Sequence, residues 1–138
     1  MVNEKYFTID AHCHVYPDKI AEKAVGAIKG FYDVSSSFKD GKVSTLISAG
    51  EKAHTDMFVI QSVATTPKQV RSIINFIAEA VKEYNGKLVG LGTLHPESED
   101  MEGDVQNILD LGLHGVKLHP DIQGFNIDDF RCLKIYEL

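Results

Sequence analysis

The stretch "IDAHCHVYPDK", Ile9 to Lys19, decides how the rest of the chain is read. An apolar segment, Tyr6 to His14, runs into a turn at Pro17-Asp18, the punctuation that closes a strand. In a strand, alternate residues share a face. Asp10, His12 and His14 then lie on one side, with Ala11, Cys13 and Val15 on the other. Two imidazoles one residue apart at the C-terminal end of a strand can chelate one ion, because the neutral ring is a good ligand for zinc and related metals. They can also be two polar residues at a strand end, since a His-x-His triplet alone is a weak signal.

Working outward, the chain alternates strands with helices. Ile20, Ala21, Ala24, Val25 and Ile28 share one helical face, with Gly30 as the expected stop. The segment "DVSSSFKDGK" (33–42) reads as loop, and a short helix is expected from Val43, with Leu46 and Ile47 on one face. Met57 to Thr65 reads as a buried strand. Thr66 is then a helix N-cap, Pro67 suits the first helical position, and Gln69 completes a capping box. Val70, Ile73, Ile74, Ile77, Val81 and Tyr84 recur at helical spacing up to Gly86. "KLVGLGTLHP" (87–96) is a third strand. Ser98 is the expected cap of a helix with Met101, Val105, Ile108 and Leu109 as its core stripe and Gly112 as its end. "HGVKLHPD" (114–121) is a fourth strand, and Asp128 or Asp129 opens a last helix.

Composition narrows the function. The 138 residues suit one domain with no internal boundary, and a hydrophobic share of 43% with a charged share of 25% is that of a globular protein. A net charge of −6 disfavours nucleic acid and anionic membrane as partners, because phosphates need a basic face. No apolar run approaches the ~20 residues of a membrane span, and the N-terminus lacks a signal-peptide pattern. Two distant cysteines, Cys13 and Cys132, make no disulfide framework. A cytoplasmic location is the simplest expectation.

Four strand–helix units in succession imply an α/β fold with a parallel sheet under helices. Length alone favours an open sheet, since a (β/α)₈ barrel takes ~250 residues. The motifs favour a barrel. In the fourth strand Val116 and Leu118 point one way, and Lys117 and His119 the other. Both polar pairs sit at C-terminal strand ends, where open sheets and barrels alike place ligands.

"IDAHCH" followed by "HGVKLHPDIQGFNIDD" resembles the amidohydrolase superfamily, and within it the amidohydrolase-2 family of metal-dependent hydrolases with TIM-barrel folds. The resemblance implies that the chain is the N-terminal half, strands 1–4, of such a barrel, with the remaining ligands on later strands. Half a barrel leaves sheet edges that invite pairing, so a missing C-terminal half or a homo-oligomer is the implied partner.

The resemblance also implies a chemistry. His12 and His14 would hold a divalent metal, zinc or alternatively manganese, that activates water against a small-molecule substrate. Decarboxylation or hydration on the same scaffold is the alternative, and a non-catalytic fragment another. Asp10 either orients a histidine or bonds backbone at the strand end. Lys117 and His119 are the candidate catalytic residues. Lys117 reads either as a carboxylated bridge between two metals, as part of a Lys-x-His arrangement similar to that of ureases, in which the histidine contacts substrate, or as a lysine paired with a carboxylate such as Asp10. His119 is placed near the substrate. His95 either faces the pocket and contacts substrate or serves in capping and packing. Cys13 reads as a small buried apolar residue. "GLG" at Gly90 to Gly92 lacks the strand–loop–helix setting of a phosphate loop.

Overall fold

The computed structural model describes residues 6–32 and 40–138. The elements follow the order β1 (Ile9–His14), α1 (Ala21–Tyr32), α2 (Val43–Ala53), β2 (Met57–Gln61), α3 (Val70–Glu83), β3 (Leu88–Gly90), β4 (Gly92–Thr93), α4 (Met101–Asp110), β5 (Val116–Lys117), α5 (Pro120–Gln123) and α6 (Phe130–Glu137). β1, β2 and β3 form a parallel sheet in that order, and β4 pairs with β5, also in parallel. β3 and β4 are two pieces of the expected third strand, so the strand order is the expected one. The break falls at Leu91, whose N–H still donates to the Ile60 carbonyl at 3.0 Å, while the Gly92 N–H turns to Gly115 at 2.8 Å.

The two glycines beside Leu91 explain the break. A Cβ on Gly90 would meet Ile77 and Leu113 at 2.7 Å, and one on Gly92 would meet Ile108 at 2.5 Å. Helices α3 and α4 therefore seat directly on the backbone, a use of glycine as a close-approach residue. Above this point the buried side chains of Val15, Ile60, Val70, Ile74, Ile77 and Leu94 make the core. Removing them from water is the main favourable term of folding.

The capping box before α3 is present. Gln69 Oε1 accepts from the Thr65 and Thr66 N–H groups at 2.8 and 3.2 Å, and Pro67–Gln69 form a single 3₁₀ turn before the helix proper. On α4 the cap is Asp100 rather than Ser98: its carboxylate accepts from the Gly103 N–H at 3.0 Å. Ser98 instead donates to Asp104, which is buried and also paired with Arg71 at 3.0 Å. With Asp104 facing inward, Leu109 is 61% exposed, and only Met101, Val105 and Ile108 of the expected stripe pack against the core.

Three boundaries move. α1 continues through Gly30 to Tyr32. β2 stops at Gln61, short of Thr65. The fourth strand is only Val116–Lys117, because His119 and Pro120 begin α5, with Pro120 at its first position and Gly124 closing it at φ 68°. The expected loop at 33–42 lies largely outside the described residues. Its described end, from Asp40 to Lys42, is neither helix nor strand, and Asp129 caps α6 as expected. Among the described residues no helix is long and apolar enough to cross a membrane.

Candidate metal centre at the strand ends

β1 carries a bulge. Asp10 pairs with Phe58 and Cys13 with Ile60, so three steps on β1 answer two on β2. The Asp10 carboxylate accepts from the His12 N–H at 3.2 Å, satisfying a donor in the interrupted ladder. Asp10 thus bonds backbone, and no hydrogen bond joins it to an imidazole or to Lys117 among the described residues. Cys13 and Val15 are buried beneath the helices, as the alternation implies, but Ala11, expected on the same face, is exposed on the near side of the bulge. The Cys13 thiol donates to the Asp10 carbonyl, and its pKa is pushed up to about 12, chiefly by burial.

Beyond the bulge the two rings converge. His12 Nε2 and His14 Nε2 are 3.1 Å apart, with ring centroids at 5.1 Å and planes tilted by 32°. Burial first, and then the positive charges of Lys117, His12 and His119, push the His14 pKa down to about 4. The ring is therefore neutral at pH 7, with a lone pair to offer. Its Nδ1 is buried and has no hydrogen-bond partner among the described residues.

Lys117 arrives from the far edge of the strand order. Its Nζ lies 3.4 Å from His12 Nε2, and burial lowers its pKa. Three strand spacings in a flat sheet separate backbones by roughly 14 Å, with side chains perpendicular to the sheet. Two such side chains meet only if the strands curve toward one another, so the histidines and Lys117 occupy a concave side. Val116 and Leu118 point away, into a groove with Phe125 and Ile135. Buried Thr93 braces this end: its Oγ1 accepts from the Ala64 N–H at 3.1 Å and donates to the Lys117 carbonyl at 3.3 Å.

His119 stands beside this group as the cap of α5. Its Nδ1 accepts from the Ile122 N–H at 3.5 Å, and its Nε2 is 3.0 Å from the Tyr32 hydroxyl. His95 makes separate contacts. It is buried, its Nδ1 accepts from the Glu97 N–H at 3.2 Å, and no hydrogen bond links it to His12, His14, Lys117 or His119.

Two residues at this end escape a reading of the sequence. Tyr32 falls beyond the expected helix stop at Gly30. Gln123 donates from one carboxamide nitrogen to the Ala64 and Leu94 carbonyls at 2.9 and 2.8 Å, and its oxygen accepts from the His119 N–H at 2.7 Å. Its signal was the Pro-x-x-x-Gly frame of a one-turn helix.

The donor set fits half of a metal site. Among the described residues no group of three or more His, Cys, Asp or Glu side chains is placed to hold an ion. The two Nε2 atoms alone converge, and their 3.1 Å separation is close to the roughly 3.3 Å that two nitrogens span on one tetrahedral zinc.

Parallel strand–helix units, curved so that their polar ends face inward, define part of a (β/α) barrel. No protein-family model matches the sequence, and no curated protein matches it. Solved structures do. A 5-carboxyvanillate decarboxylase from Novosphingobium aromaticivorans, holding manganese and 3-methoxy-4-hydroxy-5-nitrobenzoic acid, superposes with a TM-score of 0.72 at 15% identity, over 96% of this chain and 47% of that one. A dihydroxybenzoic acid decarboxylase from a Polaromonas species, with manganese and 2-nitroresorcinol, gives 0.67 at 13% identity, over 95% and 45%. A probable 2-pyrone-4,6-dicarboxylic acid hydrolase from Acinetobacter baumannii, with citric acid bound, gives 0.56 at 16% identity, over 96% and 45%. The chain shares the fold of these structures, part of a (β/α) barrel, and it spans about half of their length.

Proposed function

We propose that these residues form the metal-binding first half of a divalent-cation-dependent enzyme of amidohydrolase type that acts on a small carboxylated substrate. The carrying observation is the convergence of His12 and His14 Nε2 with Lys117 Nζ on the concave side. His12 and His14 would hold the cation. Zinc suits two imidazole donors, and manganese is the ion in the two decarboxylases. When bound, the cation would lower the pKa of a water toward ~7 and polarise a substrate carbonyl.

The chain's own groups do the rest of what can be derived. Burial keeps His14 neutral, so it offers a lone pair at neutral pH. Lys117 bonds the same His12 nitrogen that a cation would occupy. With that nitrogen engaged by a cation, the Lys117 amine would be available to a substrate carboxylate. His119 lies close enough to His14 to act on its charge and would border a substrate held there. Gln123 and Thr93 hold the strand ends on which Lys117 and His119 stand.

Hydrolysis by an activated water is the first reading. Decarboxylation is the second, since the similar structures include decarboxylases as well as a probable hydrolase. The test supplies the remaining barrel strands on the same chain or in trans, adds manganese or zinc, and offers a panel of small carboxylates, lactones and esters. Metal-dependent turnover lost in His12→Ala supports the reading, and carbon dioxide release against ring or ester opening separates the two reactions. A completed barrel without metal-dependent turnover of any of them overturns it.

A further inference from the structure

His119 is held from three directions. Its N–H donates to Gln123 Oε1 at 2.7 Å, its Nδ1 accepts from the Ile122 N–H at 3.5 Å, and its Nε2 lies 3.0 Å from the Tyr32 oxygen. A neutral imidazole carries one proton. With the Nδ1 lone pair used by the cap, that proton sits on Nε2, and the Tyr32 oxygen is its acceptor. The phenol's own proton then needs a different acceptor, and the neighbouring carboxylate is Asp121, in the first turn of α5. The raised pKa of Tyr32 agrees: partial desolvation, then the charge of Asp121 and a hydrogen bond to it, disfavour the phenolate.

This contact joins the end of α1 to the start of α5 over 87 positions of sequence. Packing alone does not require it. Tyr32 is 41% exposed, and its other aromatic neighbour is the adjacent Phe31, met edge-on at 4.8 Å. We infer that Tyr32 is a positioning residue: by accepting from His119 Nε2–H it fixes the tautomer and the orientation of the ring at the edge of the space beside His14. The inference deepens the proposed function and rests on it for the place of His119 beside the substrate.

The test needs neither metal nor turnover. In the folded, metal-free protein with ¹⁵N-labelled histidine at about pH 7.5, two-bond proton–nitrogen correlations report which ring nitrogen is protonated, with His119→Gln giving the assignment. The expected result is a protonated Nε2 on His119. In Tyr32→Phe, which removes one exposed oxygen, the exchange of that proton with solvent speeds up roughly five- to tenfold, the worth of one ordinary hydrogen bond. A proton on Nδ1 in the wild type, or unchanged exchange in Tyr32→Phe, overturns the inference. Either failure leaves the metal reading of His12 and His14 standing, and loss of metal binding leaves this one standing.

Discussion

Replacing Gln123 with alanine removes three hydrogen bonds at once. The carboxamide of Gln123 joins the Ala64 carbonyl after β2, the Leu94 carbonyl after β4 and the His119 N–H that opens α5. A net 0.5–1.5 kcal/mol per bond gives a total of about 1.5–4.5 kcal/mol. Gln123 is half-buried, so water reaches part of the exposed cut, and about 2–3 kcal/mol is the working figure. For a chain of this size that lowers the melting midpoint by roughly 8 °C. Urea unfolding of wild type and Gln123→Ala, compared at equal slopes, measures it. Gln123→Glu should do no better, since a carboxylate cannot donate to the two carbonyls. A loss below about 0.5 kcal/mol would mean that the strand ends are held by something other than this side chain.

Acid should weaken the metal-free fold through His14. Its folded pKa of about 4 lies below its ordinary 6.5. Above 6.5 the ring is neutral in both states and nothing is lost. Below 6.5 the unfolded chain takes up a proton that the folded chain refuses, so stability falls until about pH 4 and then levels off, by at most about 3 kcal/mol. Urea midpoints at about pH 7.5 and about pH 5 should converge for wild type and His14→Gln as pH falls, and parallel lines would refute the shift. Gly50→Ala should cost about 1–3 kcal/mol, because the new methyl would land on the buried Phe58 ring; a melting point unchanged in Gly50→Ala would show that α2 can move off β2.

The strand order and the polar concave face were legible because both rest on period-two alternation and on turn punctuation, which are local. Cys13 and Val15 went under the helices, and Lys117 turned to the histidines, on that logic alone. The Thr66–Gln69 cap was legible for the same reason. What was not legible came from tertiary contact. The bulge that aims His12 at His14 depends on the β1–β2 register. The strand break at Leu91 depends on where Ile77 and Ile108 press against glycine. Gly30 reads as a stop, yet it lies inside α1, and the error hid Tyr32. His119 and His95 looked like matching strand-end histidines. The chain turned both at once, so each uses its Nδ1 to accept from a backbone N–H two or three residues on, but only His119 lies close enough to His14 to act on its charge.

Calorimetric titration of zinc and of manganese into the folded protein tests the central claim most directly. Two imidazole nitrogens 3.1 Å apart are half of a four-ligand zinc site. The account predicts saturable but loose uptake of one ion per chain, lost in the His12→Ala/His14→Ala double variant and retained in His95→Ala. Absence of uptake by folded wild type, or equal uptake by the double variant, would contradict the assignment of His12 and His14 as ligands.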